Sequence, residues 1–304
     1  MSQRSLTSKM GLTDPKALAL VSRMELVAKK AVEGFLSGLH PSPYYGSSAE
    51  YADHRPYSMG DEYRTIDWKL LAKTDKYYVK LFEEQTNCRA NIFIDTSRSM
   101  AFHSGDRTSK LEYSLCAAAA LAYLMLNQND AVGLALFDSR LSEYIPARST
   151  ATHFRRMVEE MARVRPGVDT NIGGVLHELA GRIHQRGIVI LFSDLIDDLD
   201  AVADSLAHFR FKKHDVIVFH VMDPAEMDFP YERLTCFKDM EGGGKVFVNP
   251  QTVRRKYLER LKTWCDGVKR ICHERDVSYE LATTETPYAQ MLSAYLEKRA
   301  RMRG

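Results

Sequence analysis

The sequence predicts an α/β protein in which a mostly parallel central sheet is covered by helices on both faces. Three observations carry this expectation. Short runs such as Ile188 to Phe192 and Val216 to Met222 are apolar throughout, as strands buried on both sides must be. The segments that follow them place apolar residues at helical spacing with charges between. From about residue 91 onward strand and helix alternate, the pattern of parallel strands joined by helical crossovers.

The elements follow in order. Residues Pro15 to Leu39 form an amphipathic helix ending near Gly38. His40 to Ala72, rich in Pro, Ser, Tyr and charge, reads as an ordered irregular segment, and so long a stretch without regular structure is often functional. Tyr77 to Glu84 alternates as a strand, and Asn91 to Ile94 is a second, more buried one. Lys110 to Leu126 is an Ala-rich helix, Ala131 to Phe137 and Leu141 to Ile145 are strands, and Thr152 to Val164 and Ile172 to Arg186 are helices. The strand Ile188 to Phe192, the helix Leu199 to Phe211 and the strand Val216 to Met222 come next. A hairpin lies between Leu234 and Val248, turning at Gly242-Gly243-Gly244, before the helix Thr252 to Glu274, the strand Val277 to Ala282 and the closing helix Tyr288 to Arg301. The division expected is an N-terminal helix and motif segment, 1–88, and an α/β domain, 89–304, with the hairpin inserted near 234–248.

Composition narrows the function. A chain of 304 residues with 45% hydrophobic and 27% charged residues is an ordinary globular protein. A net charge of +2 gives no global argument for nucleic acid or an anionic membrane. Residues 1–14 are polar, without secretory-signal anatomy, and Leu115 to Leu126 falls short of the roughly 20 apolar residues a membrane helix needs, so a cytoplasmic location is expected. The five cysteines are scattered without a C-x-x-C pair, which argues for reduced thiols rather than a disulfide framework or structural zinc.

The informative string is Asn91-Ile-Phe-Ile-Asp95-Thr-Ser97-Arg-Ser99. A buried strand ends in Asp-x-Ser-x-Ser, so one carboxylate and two hydroxyls leave its carboxyl end, the edge where open α/β sheets bind ligands. These are hard oxygen donors, suited to Mg²⁺ or Mn²⁺. Alone the string is weak, arising by chance in roughly one chain of this length in ten. Thr170 precedes the helix that begins at Ile172, and the next buried strand ends in Ser193-Asp194, so Thr170 and Asp194 can converge on Asp95, Ser97 and Ser99. Taken singly, Thr170 reads first as a helix cap and Asp194 as a turn residue.

In this order the residues resemble the von Willebrand factor A fold, a Rossmann-type arrangement, and its metal-ion-dependent adhesion site. Asp95, Ser97, Ser99, Thr170 and Asp194 fill its five places. The resemblance implies that Ser97 and Ser99 bind Mg²⁺ (or Mn²⁺) directly, Thr170 directly or through water, and Asp95 and Asp194 partly through waters. A carboxylate of a protein partner would complete the ion.

A second string, Arg55-Pro-Tyr57-Ser-Met-Gly60-Asp61-Glu62-Tyr63-Arg64-Thr-Ile66-Asp67-Trp68, resembles the bacterial DUF58 family, whose pattern precedes a von Willebrand A-like domain. Many relatives begin with paired membrane helices, and this chain resembles the short form without them. The resemblance implies a non-enzymatic adaptor or client-recognition partner of a MoxR-type AAA+ ATPase. The segment itself reads either as carboxylate–guanidinium pairs that knit an irregular stretch onto a domain, with Ile66 and Trp68 as apolar anchors, or as a partner contact.

Other chemistries lack their signatures. Gly242-Gly243-Gly244-Lys245 is no phosphate loop, since Asp239 stands where Gly is needed and Val246 where Ser or Thr is needed. A metal-dependent phosphohydrolase of haloacid dehalogenase type using Asp95 is the alternative, but the general-acid place two residues on is Ser97. The basic helix around Arg254 to Lys262 and the cations at the end of the chain form no aromatic-interleaved stripe, so nucleic acid is not expected.

Overall fold

The computed structural model describes residues 15–38, 54–57, 66, 68–74, 76–80, 88–167, 171–238 and 244–303. The chain divides into two compact units, one of Met1–Gly38 with Cys88–Gly304 and one of Leu39–Asn87.

The larger unit is built on a six-stranded sheet of β3 (Arg89–Asp95), β4 (Ala131–Phe137), β5 (Leu141–Arg148), β6 (Ile188–Ser193), β7 (Asp215–Met222) and β10 (Ser278–Thr283). Their spatial order is β10-β7-β6-β3-β4-β5, parallel throughout except for β5, which returns antiparallel along β4. The fully apolar runs are the buried strands, as their composition requires: β4 and β6 have no residue outside the buried class. β3 is the first of these strands in the chain, and β4 and β6 flank it on opposite sides. The crossovers therefore change direction at β3, the topological switch that opens a crevice at the carboxyl ends of an α/β sheet.

Helices cover both faces. On one, α1 (Pro15–Gly38), α3 (Lys110–Asn127), α4 (Ala151–Arg163) and α9 (Tyr288–Arg303) pack on Ile92, Ile94, Leu134 and Ile190. The apolar stripe Val21, Met24, Ala28 and Val32 sinks α1 into this layer, so α1 belongs with the sheet rather than with residues 39–87. The Ala-rich run Ala117–Ala122 lets α3 lie close against the sheet, where nearly all of the helix is buried. On the other face α5 (Ile172–Arg182), α6 (Leu199–Phe211) and α8 (Pro250–Glu274) enclose Phe93, Leu191 and Val218.

Some elements differ from expectation. α5 ends at Arg182, because the next residue, Ile183, has left helical geometry and is buried. β5 runs on to Arg148 rather than stopping at Ile145. A short helix, α7 (Pro224–Asp228), interrupts the stretch before the expected hairpin, which forms from β8 (Thr235–Lys238) and β9 (Lys245–Val248). α7 is started by Asp223, whose side chain accepts from the Ala225 N–H while Glu226 accepts from the Asp223 N–H, a reciprocal cap with Pro224 in the first turn.

In the smaller unit β1 (His54–Pro56) pairs antiparallel with β2 (Tyr78–Lys80), and α2 (Trp68–Thr74) begins within the stretch expected to be irregular and runs two residues past it. No helix among the described residues is long and apolar enough to cross a membrane. All five cysteines are free thiols.

Gly133 in β4 marks the tightest strand contact. A Cβ there would lie 2.6 Å from Asn91 Oδ1 and 3.0 Å from both Ala147 N and Ile145 O, beside a register shift between β4 and β5. Two of these neighbours are backbone and cannot turn aside. Gly133→Ala is expected to lower stability by about 1–3 kcal/mol, read from urea denaturation; an unchanged midpoint would show that the bulge yields freely.

Candidate functional site

β3 and β6 lie side by side, with Ile94 opposite Phe192, so the residues that end them meet. Asp95 is wholly buried; its Oδ1 accepts from the Ser97 N–H at 2.8 Å and its Oδ2 from the Ser193 hydroxyl at 2.6 Å. The intervening Thr96 is pinned to the end of β4, its N–H and its hydroxyl both donating to the Phe137 carbonyl, at 2.6 and 2.8 Å. That anchor directs Ser97 and Ser99 to one side, where their hydroxyl oxygens lie 3.1 Å apart, while Arg98 between them points to water. A single 3₁₀ turn, Ser99–Ala101, then drops Met100 into the core.

Asp194 continues from β6. Its Oδ1 accepts from the Ile196 N–H at 3.3 Å, and the turn between them needs a left-handed Leu195 (φ 56°), held by its N–H to the Ser193 hydroxyl at 2.9 Å. Its Oδ2 accepts from Lys110 Nζ at 2.9 Å, and both side chains are fully buried. The same ammonium donates to Glu226 Oε1 at 2.9 Å. Four of the five expected ligands are therefore described, and Asp95, Ser97, Ser99 and Asp194 come together at the end of the central strands. Thr170 lies outside the described residues. Among the described residues on either side of it, the Gly167 N–H donates to the Thr96 carbonyl at 2.7 Å and the Ile172 N–H donates to Asp197 Oδ2 at 2.6 Å.

Electrostatics mark the same place. Asp95 is pushed from 3.8 up to about 7, first by burial and next by the nearby Asp194 carboxylate; hydrogen bonds from Ser193 and Ser97 act the other way. Lys110 moves upward although burial opposes it, because Asp194 and Glu226 outweigh that penalty. Two carboxylates close enough to repel, beside two hydroxyls in contact, form a donor set that suits a hard divalent cation. Among the described residues no group of three or more His, Cys, Asp or Glu could hold a metal, so a cation here needs the serine oxygens.

Of the second string, Arg55 lies in β1 opposite Val79, and the Tyr57 and Tyr77 rings are 6.2 Å apart. Gly60, Asp61, Arg64 and Asp67 lie outside the described residues. Ile66 is buried, but Trp68 is 59% exposed and so is not the apolar anchor expected of it: it starts the exposed side of α2.

The sequence reading missed Lys110, Ser193, Asp223 and Glu226. A lone cation at the head of an otherwise apolar helix, and Asp-Pro-x-Glu directly after a buried strand, were the available signals.

The fold is von Willebrand A-like: a mostly parallel six-stranded sheet between two helical layers with the Asp-x-Ser-x-Ser turn at its central strand end. It is similar to an aerotolerance-related membrane protein from Bacteroides fragilis (TM-score 0.51, 16% identity, 70% of this chain and 99% of that one). The conserved hypothetical protein BatB from Bacteroides thetaiotaomicron gives a TM-score of 0.48 at 18% identity over 70% of this chain and 99% of its own. The family described as "Protein of unknown function DUF58" matches residues 53–263, and the chain belongs to it. Uncharacterized proteins of Mycobacterium bovis and Mycobacterium tuberculosis are each 24% identical over 235 residues, which is 76% of this chain and 73% of theirs.

The raised Asp95 value has a consequence for the metal-free protein. Its folded value exceeds its unfolded one, so the native state holds an extra proton between about pH 4 and about pH 7, and stability falls as pH rises through that window. Asp95→Asn keeps the shape and removes the titration. In EDTA, the wild-type urea midpoint is expected to drop between about pH 5 and about pH 8 by more than that of the variant; parallel profiles would mean that the carboxylate is not held neutral.

Proposed function

We propose that the chain is a divalent-cation-dependent protein-binding module rather than an enzyme, with Mg²⁺ (or Mn²⁺) held by Ser97, Ser99 and Thr170 and, partly through water, by Asp95 and Asp194. The observation that carries this reading is the pair of serine hydroxyls 3.1 Å apart beside a buried Asp95 that burial and the Asp194 carboxylate push toward its neutral form. When bound, the ion supplies strong attraction for a partner's carboxylate in surroundings drier than water. Each residue of the chain has a separate task. Ser97 and Ser99 offer neutral oxygens, Asp95 orients Ser97 through its N–H, and Ser193 orients Asp95.

The same reading makes the protein an adaptor or client-recognition partner of a MoxR-type AAA+ ATPase, in the cytoplasm where ATP is available, and rests there on the family resemblance. The partner would present an acidic side chain to the site. The phosphohydrolase alternative draws no support from the geometry: both Asp95 oxygens already accept hydrogen bonds, the carboxylate is fully buried, and the residue two places on is Ser97.

Calorimetric titration of Mg²⁺ and Mn²⁺ into the purified chain tests the proposal. Saturable binding is expected in the wild type, lost in Asp95→Ala and weakened in Ser97→Ala, with circular dichroism unchanged. Binding that survives in Asp95→Ala would place the ion elsewhere, and loss of folding in these variants would make the residues structural caps.

A further inference from the structure

Lys110 is assigned no part in the reading above, yet it is the most constrained cation among the described residues. Its side chain is fully buried in the first turn of α3, where the partial positive charge of a helix N-terminus disfavours a cation and where lost hydration costs an ammonium strongly. The two carboxylates that compensate, Asp194 and Glu226, each lie 2.9 Å from it. Each is also held at its other oxygen, Asp194 by the Ile196 N–H at 3.3 Å and Glu226 by the Asp223 N–H at 2.8 Å. The network continues past Glu226: Asp223 accepts from the Ser104 hydroxyl at 2.7 Å and from the Ser104 N–H at 3.2 Å. Ser104 lies five residues beyond Ser99, so the serine turn and Asp194 are both tied to the start of α7.

We propose that Lys110 is a built-in counter-ion of the candidate metal site, which fixes Asp194 with an ammonium and thereby weakens the site's own hold on a divalent cation. The inference rests on the metal-binding reading. A dication at the serine pair shares Asp194 with a positive charge 2.9 Å from that carboxylate, and like charges repel strongly in a dry pocket. A partner's carboxylate adds the negative charge that the ammonium has cancelled, so ion and partner bind best together. Glu226 works in the opposite sense, since it draws part of the ammonium's field away from Asp194. Lys110 is thus a positioning residue that sets ion affinity, and the contact that positions it belongs to α7.

The test is Mg²⁺ calorimetry on the full chain, comparing wild type, Lys110→Met, Glu226→Gln and the double variant Lys110→Met/Glu226→Gln, with urea stability measured in EDTA and in Mg²⁺. Lys110→Met is expected to bind Mg²⁺ on the order of tenfold more tightly than wild type, and to be less stable in EDTA with the deficit recovered by Mg²⁺. Glu226→Gln is expected to bind several-fold more weakly. If Lys110→Met does not fold, the double variant, in which one charge of each sign is removed together, carries the same expectation of tighter binding than wild type. A purely structural lysine would lower stability without raising affinity. Affinity equal to or below the wild-type value in both lysine variants therefore overturns the proposal, and leaves metal binding standing if the wild type binds. Binding in none of the proteins overturns the metal reading and this inference with it.

Discussion

Asp95 carries its carboxylate at the end of the central strand with no exposure to water, and much of the surrounding construction accommodates that charge. A buried carboxylate is tolerated only when its oxygens accept hydrogen bonds, when it takes up a proton, or when a cation stands near it. Here the first two operate in the metal-free chain. Ser97 N–H and the Ser193 hydroxyl occupy the two oxygens, and burial together with Asp194 pushes the group up to about 7. The Ser97 bond also folds the loop back on itself, which is what brings Ser99 within reach of Ser97.

The second buried carboxylate is handled by other means. Asp194 lies just past the end of the neighbouring strand and takes a lysine ammonium, which also donates to Glu226. Two of these charged side chains are fully buried and Glu226 partly so, and such a cluster is weak evidence for stability because desolvation offsets most of the attraction. Its more direct effect is geometric: it fixes where Asp194 lies relative to Asp95 and joins both to a helix turn that follows β7. The edge of the sheet is in this way a single hydrogen-bonded assembly drawn from β3, β6, α3 and α7.

The sheet topology explains why these residues can meet at all. Asp95 and Asp194 are 99 positions apart in sequence, but the parallel register of β3 and β6 puts Ile94 beside Phe192. Parallel strands align their carboxyl ends, and a switch in crossover direction at β3 leaves the space above them uncovered by a connecting loop.

Local pattern alone was enough for the buried strands, the helices between them, the β8–β9 hairpin and the Asp-x-Ser-x-Ser turn, because burial on both faces and helical amphipathy each leave a periodicity in the residues that need it. That Asp95 and Asp194 stand at or just past neighbouring strand ends was legible for the same reason, whereas grouping them with Ser97 and Ser99 as one site came from the resemblance to the von Willebrand A fold. Lys110 was not, since one cation at a helix start gives no hint of a carboxylate 84 residues away, just past a strand end. Nor was the exposed Trp68, whose size argues for burial until its neighbours are in place. The grouping of α1 with the sheet was equally hidden, as an amphipathic stripe states that a helix must be covered but not by what. Periodicity is a property of neighbours along the chain and survives in the sequence, whereas the pairing of charges across the fold depends on distances that exist only once the strands have taken their order.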